Sequence, residues 1–331
     1  MRTARTAAAV IAVVALAAGC SSSGGKDDEG AGDEGGGSGG KAAGTPRLKI
    51  AMITHSGEGD TFWDIVQNGA EEAAKKDNVE FLYSNDKEGK GQAELVQTAI
   101  DKKVDGIVVT LAKPQAMRAV LGKAKQAGIP VVTINSGGEF STRFGALGHI
   151  GQDETVAGEA VGDELDRRGR KKALCVIHEQ GNVSLEQRCA GVKETFGGSV
   201  ENLNVDGTNQ PGAQSSISAK LQATKGIDAV VTLGAPVAAV SVKAKEDAGS
   251  KAEIDTFDLN AEVVRRLEAG EVGFAVDQQP YLQGYLAIDE LWLYETNANV
   301  LGGGKPVLTG PAVVTAKDVP KLEKFTARGT R

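Results

Sequence analysis

From Arg47 onward the chain alternates short apolar runs with longer amphipathic ones, and it does so twice. Leu48–Ile53, Val79–Tyr83, Gly106–Thr110 and Pro130–Ile134 read as strands. Between them, residues 60–76, 90–103 and 114–127 repeat apolar positions at helical spacing. Turn signals such as Asp77-Asn78 and Gly128-Ile129-Pro130 separate the two kinds of run. After a loop rich in glycine the rhythm restarts. Strands are expected at Ala173–Ile177, Val200–Val205, Ala229–Thr232, Ile254–Phe257 and Val272–Val276, with helices near 153–168, 184–196, 211–223, 235–247 and 260–269. A last helix near 281–295 and an extended end complete the chain. Strands that alternate with helices build βαβ units and parallel sheets, so the expected fold class is α/β. Two rounds of one rhythm read as two similar lobes. One large doubly wound domain is the alternative, and a length of 331 residues favours two lobes.

Residues 1–20 read as a targeting segment rather than as structure. Arg2 and Arg5 make a charged start, and Ala7–Ala18 is an apolar stretch too short for a resident membrane helix. The segment ends Leu16-Ala17-Ala18-Gly19-Cys20, which resembles a bacterial lipobox with its leucine one place early. That resemblance implies acylation of Cys20 and a tether to the outer face of the cytoplasmic membrane. Residues 21–46 are rich in glycine, serine and acids and cannot bury enough apolar surface to fold. A linker of that size reaches roughly 28 Å.

Composition then excludes several classes. The net charge is −7 with no basic run, so a nucleic-acid partner is not expected. The three histidines, His55, His149 and His178, lack metal-ligand spacing. No phosphate-binding Gly-x-x-x-x-Gly-Lys-Ser/Thr loop and no Gly-x-Ser-x-Gly elbow occur, and no cofactor is called for. Beyond Cys20, the remaining cysteines are Cys175 and Cys189, which form a disulfide in an oxidising compartment or stay as two buried thiols.

Polar and aromatic residues gather where strands end. Thr54–Asp64 follows the first strand and carries Ser56, Asp60, Phe62 and Trp63. Phe62 falls on the buried stripe of the next helix. Trp63 lies off it, and either packs under a neighbouring loop or faces a cleft as a stacking platform. Asn135-Ser136 follows the fourth strand, His178–Arg188 the next round's first, Asp258 the strand ending at Phe257, and Asp277-Gln278 the strand ending at Val276. Parallel strands place such ends along one edge of each lobe, and two facing edges make a cleft. Amide and carboxylate groups there match vicinal hydroxyls, and an aromatic adds a flat apolar face. For Asn135 or Asp258 alone, capping of the next helix is the simpler reading.

With these residues in view, the chain from about 47 to 315 resembles the sugar-binding proteins of ABC transporters, the ribose-binding (periplasmic binding protein type I) family. The resemblance is carried by Ser56 with Asp60-Thr61-Phe62-Trp63, and by Asp105–Val109, Gly128–Ser136, Gly181–Arg188, Phe257-Asp258 and Asp277–Tyr285. It implies two Rossmann-like lobes joined by three hinge crossings, near 150, 278 and 307, which gives 47–150 with 279–307 as one lobe and 151–278 with 308–331 as the other. It implies ligand contacts at Ser56, Asp60, Phe62, Trp63, Asn135 with Ser136, Glu186, Asp258 and Gln278. Ribose binders have Asp-Arg where Asn135-Ser136 stand, an arginine where Glu186 is aligned and an asparagine at Gly234, so ribose itself is not implied. The implied role is extracytoplasmic capture of a small sugar or polyol by a monomer that delivers it to permease subunits. A lipid-anchored receptor for a membrane sensor would share the same fold. An enzyme reading rests only on His178, Glu179 and Glu186.

Overall fold

The computed structural model describes residues 45–57 and 60–331; the expected targeting segment, Cys20 and the expected linker as far as residue 44 lie outside them. The chain runs β1 (Lys49–Thr54), α1 (Thr61–Lys76), β2 (Glu80–Asn85), α2 (Gly89–Asp101), β3 (Gly106–Thr110), α3 (Pro114–Gln126), β4 (Val131–Ile134) and β5 (Gly148–Gln152). It continues through α4 (Glu154–Arg167), β6 (Lys172–Ile177), α5 (Val183–Thr195), β7 (Ser199–Asn204), α6 (Gln210–Ala223), β8 (Ala229–Thr232), α7 (Ala235–Asp247), β9 (Glu253–Phe257), α8 (Ala261–Glu268) and β10 (Ala275–Asp277). It closes with α9 (Pro280–Asn297), β11 (Val307–Gly310), β12 (Ala312–Val314) and α10 (Val319–Ala327).

The strands form two sheets, in the orders β11-β5-β4-β3-β1-β2 and β12-β10-β9-β8-β6-β7. All pairings are parallel except that of β10 with β12. Each sheet is covered by helices on both faces, which explains why its inner strands read as apolar runs while the edge strand β7 alternates. In β1, Ile50 and Met52 enter one core while Ala51 and Ile53 enter the core on the opposite face. In β6, Leu174 and Val176 divide from Ala173 and Cys175 in the same way.

Glycines let the helices on one face of each sheet touch backbone to backbone. A Cβ on Gly69 of α1 would collide with the Tyr281 carbonyl of α9, and one on Gly284 with the Val66 carbonyl. Gly158 of α4 and Gly191 of α5 meet in the same fashion in the second lobe. A disulfide joins Cys175 on β6 to Cys189 on α5, with both residues fully buried and their Cα atoms 6.0 Å apart.

The chain crosses between sheets three times. The first crossing follows Gln152, because β5 extends the first lobe past residue 150. The second falls at Gln278-Gln279, as expected near 278. The third lies between Gly310 and Ala312 rather than at 307, because Val307–Gly310 pairs with β5 before the chain changes sheet. The strand expected at Val272 begins instead at Ala275. Val272 and Phe274 are buried in the segment leading to it.

Candidate functional site

The carboxyl ends of both sheets face each other across a closed cleft. Polar contacts that cross it include Val183 N–H to the Ala112 carbonyl (3.1 Å), Asn182 Nδ2 to His55 Nε2 (3.2 Å), Gln187 Nε2 to Glu139 Oε1 (2.8 Å), Asn260 Nδ2 to Thr61 Oγ1 (3.4 Å) and Lys113 Nζ to Glu179 Oε1 (3.4 Å). Behind them lies an inner cavity lined from both lobes by Asp60, Phe62, Trp63, Asn135 and Ser136 on one side and His178, Asn182, Ser184, Arg188 and Asp258 on the other. Gln278, on the second crossing, lines it between the two sets.

Gln278 joins the lobes chemically. Its Oε1 accepts from Asn135 Nδ2 (3.1 Å) and Gln283 Nε2 (2.9 Å), and its Nε2 donates to Asp258 Oδ1 (2.7 Å). Ser136 Oγ donates to Asn135 Oδ1 at 2.6 Å. The capping reading fails for both Asn135 and Asp258. The α8 N-terminus is capped by Asn260, whose Oδ1 accepts from Val263 N–H at 2.8 Å, and the short helical turn after Asn135 starts from Gly137. Asn135, Asp258 and Gln279 instead hold left-handed backbone, with φ of 61°, 68° and 55°. Asparagine and aspartate tolerate that region best among residues with a Cβ. The turns aim both side chains into the cavity instead of along the next helix.

Asp60 combines two duties. Its Oδ1 accepts from Phe62 N–H at 3.1 Å and so caps α1, while the carboxylate lines the cavity. Trp63 is 5% exposed, part of the first-lobe core, and set edge-on against Phe62 (5.1 Å) and His55 (4.9 Å). Its departure from the helical stripe is accounted for by the cavity it walls.

Two expected contacts fall elsewhere. Ser56 is buried beside the loop, donates to the Gly57 carbonyl and does not line the cavity. Glu186 is exposed on α5 and lies outside it. The arginine expected at that position is present two places on. Arg188 is 3% exposed, and its guanidinium forks onto Glu154 (2.6 and 2.9 Å), donates to the Leu233 carbonyl (3.0 Å) and lies 4.7 Å from the Phe257 ring centre. The sequence carried this signal. Ser184 and Arg188 are four apart and share a helix face, whereas Glu186 points about the other way. His178 and Asn182 also line the cavity, and only lobe closure brings them opposite His55.

Burial sets the protonation of the site. It pushes the Asp258 carboxyl up to about 7, against the opposing pull of Arg188 and the Gln278 hydrogen bond. It pushes Asp60 up to about 6. Burial also lowers His55, which fits a neutral ring accepting from Asn182 at Nε2 and donating from Nδ1 to Thr110 Oγ1 at 2.8 Å. His149 and His178 are held down to about 4. A carboxyl with a raised folded pKa makes the fold bind protons, so its contribution falls as pH rises through about 4 to 7. The buried histidines act with the opposite sign below about 6.5, so the difference between variants is the clean readout. Asp258→Asn is expected to gain stability relative to the wild type by on the order of 2 kcal/mol between pH 4.5 and 8. Urea midpoints across that range check it, and a pH-independent difference would contradict the assignment.

The fold and the site together define a two-lobed binding protein with a polar cavity enclosed at the hinge. Residues 50–298 match the family described as periplasmic binding protein domain, and the chain belongs to that family. A carbohydrate transporter from Acidothermus cellulolyticus, solved in complex with myo-inositol, is 50% identical, with a TM-score of 0.85 over 86% of this chain and all of that one (100%). The xylose/arabinose-binding protein XylF of Sulfolobus acidocaldarius is 26% identical over 270 residues, 75% of this chain and 66% of that protein. The chain thus spans just under two thirds of the curated relatives it matches. An ABC transporter solute-binding protein from Burkholderia graminis, 24% identical, shares the fold at a TM-score of 0.73 over 82% of this chain and 96% of its own.

Proposed function

We propose that this chain is the extracytoplasmic solute-binding protein of an ABC importer, which captures a small cyclic polyol or sugar between its lobes and presents it to the permease. The observation that carries this reading is the Asn135–Gln278–Asp258 chain, which draws one polar group from each lobe and one from the hinge into an aromatic-walled cavity. Ligand hydroxyls would take over those bonds, with Asp60 and Arg188 beside them and Phe62 and Trp63 along the ring's C–H face. Charge-assisted bonds contribute roughly 1.5–3 kcal/mol each, so a few reach the ~8 kcal/mol of a micromolar site. Contacts from both lobes favour the closed form selectively, which is what ligand-driven closure requires. The inositol in the Acidothermus relative makes cyclitols the first ligands to try.

Calorimetry with myo-inositol, pentoses and hexoses tests the reading. Asp258→Asn and Asp60→Asn should each weaken the ligand that binds by about tenfold, on the order of 1.4 kcal/mol. Asparagine keeps the α1 cap in the second case. Glu186→Ala should leave affinity unchanged, and full affinity in both aspartate variants would sink the site. Acylation of Cys20 belongs to the same proposal, and labelled palmitate retained by Cys20→Ser would remove the anchor.

A further inference from the structure

A second chamber opens outward from the inner cavity. Its volume is about 710 Å³, and it too is walled from both lobes. The two spaces share His55, Asp60, His178 and Glu179, which form the throat between them. A ring held against Trp63 and Asp258 would therefore have its outward substituent directed through this throat.

The chemistry of the outer chamber selects its occupant. Lys87 and Lys113 face Glu88, Glu179 and Asp206, and Lys113 lies 3.4 Å from Glu179 and 3.9 Å from Glu88. Two lysines against three carboxylates, with Asp60 at the throat, leave the chamber slightly acidic, which disfavours a phosphate, and the ion pairs of Lys113 with Glu88 and Glu179 leave no concentrated carboxylate cluster for a polyamine. Gln180, Asn204 and Asn209 Nδ2 line it, and none of these three donates to another described residue. His178 Nδ1 is buried at the throat without a partner among the described residues. Pro236 and Val237 add a small apolar face, and no aromatic besides the throat histidines lines the chamber. Open amides, an unused imidazole nitrogen and a short aliphatic wall suit a neutral, hydroxyl-rich group of ring size.

We propose that the outer chamber is a second sugar subsite, so that the protein takes a disaccharide-sized glycoside with one ring in the inner cavity and a neutral second ring between Asn204, Asn209 and Pro236. This rests on the polyol reading of the inner cavity and narrows its substrate class. The solute is a glycoside that enters with its glycosidic bond intact, so a step that cleaves that bond, by transfer to water or to phosphate, must follow import.

Paired titrations test it: myo-inositol against its galactoside galactinol, xylose against xylobiose, glucose against maltose and cellobiose, galactose against melibiose. In at least one pair the disaccharide should bind within tenfold of its free ring or more tightly. Ser216→Trp, an exposed position on the chamber wall, should then weaken that disaccharide at least tenfold and the free ring less than threefold. Asn204→Trp serves the same purpose from β7 should the first variant fold poorly. Rings that bind while every disaccharide is more than tenfold weaker overturn the second subsite and leave the polyol reading standing. Equal loss of ring and disaccharide in both tryptophan variants also overturns it. Binding of no ring and no disaccharide overturns the polyol reading, and the subsite with it.

Discussion

Arg188→Ala is expected to lower stability by about 3–5 kcal/mol and to abolish measurable ligand binding. The guanidinium is buried with Glu154, and its three strong hydrogen bonds hold both carboxylate oxygens and the Leu233 carbonyl. Truncation leaves Glu154, itself 4% exposed, as an uncompensated buried charge, with Gln152 Nε2 the remaining side-chain donor to it among the described residues at 2.8 Å. A fall in melting temperature of roughly 10 °C follows for lobes of this size. The stability and binding effects can be separated. Arg188→Met combined with Glu154→Leu removes both charges and should recover most of the stability, since buried pairs gain little over apolar replacements of similar volume. It should not recover binding, because the cavity has lost its only guanidinium among the described residues. Arg188→Lys keeps the charge but not the two-pronged fork. An Arg188→Ala protein that melts within 2 °C of the wild type and binds within threefold would show that this residue serves neither role.

Removing the disulfide with Cys175→Ala and Cys189→Ala together should cost about 3 kcal/mol, the loop-closure value for the separation of 14 residues. Both cysteines are fully buried, so a mild thiol added to the folded protein should not reproduce the effect. The bridge ties β6, whose end carries His178, to α5, which carries Arg188. Below the lowered transition the affinity should stay within threefold, because α5 is also held by its glycine contact with α4. Denaturant midpoints of oxidised, reduced-and-unfolded, and doubly substituted protein measure this. A loss below 1 kcal/mol would mean that the unfolded chain gains little freedom when the bridge is absent. A structural bridge of this kind fits an oxidising, extracytoplasmic setting.

The βα rhythm is legible because the inner parallel strands β1, β3, β4, β6, β8 and β9 are buried on both faces and so write themselves as apolar runs. β5 is not, since Gly-His-Ile-Gly-Gln offers one aliphatic residue and gains its strand character from β4 and β11 on either side. The edge strands β11 and β12 read only as an extended end because they are four and three residues long and interrupted by Pro311, too short to show a period. Within the site, Asp60, Asn135, Asp258 and Gln278 could be placed because strand ends in parallel sheets share an edge. Glu186 was placed by alignment alone, where counting along α5 from Ser184 reaches Arg188. The opposition of His55 to Asn182 could not be read at all, because they are 127 residues apart and meet only through lobe closure.

The order in which the polypeptide is made bears on how it can be handled before it folds. The first lobe is begun at Lys49, yet α9 and β11 come from residues after 279, beyond every parallel strand of the second sheet. Until they emerge, the glycine face of α1 has no partner and β5 remains an open edge. Pairing across such sequence distances is slow, since the intervening chain must be closed first. A nascent chain built this way stays incomplete in its leading half until almost the end of translation. That delay keeps the leading half in a form that can still be threaded unfolded for most of its synthesis.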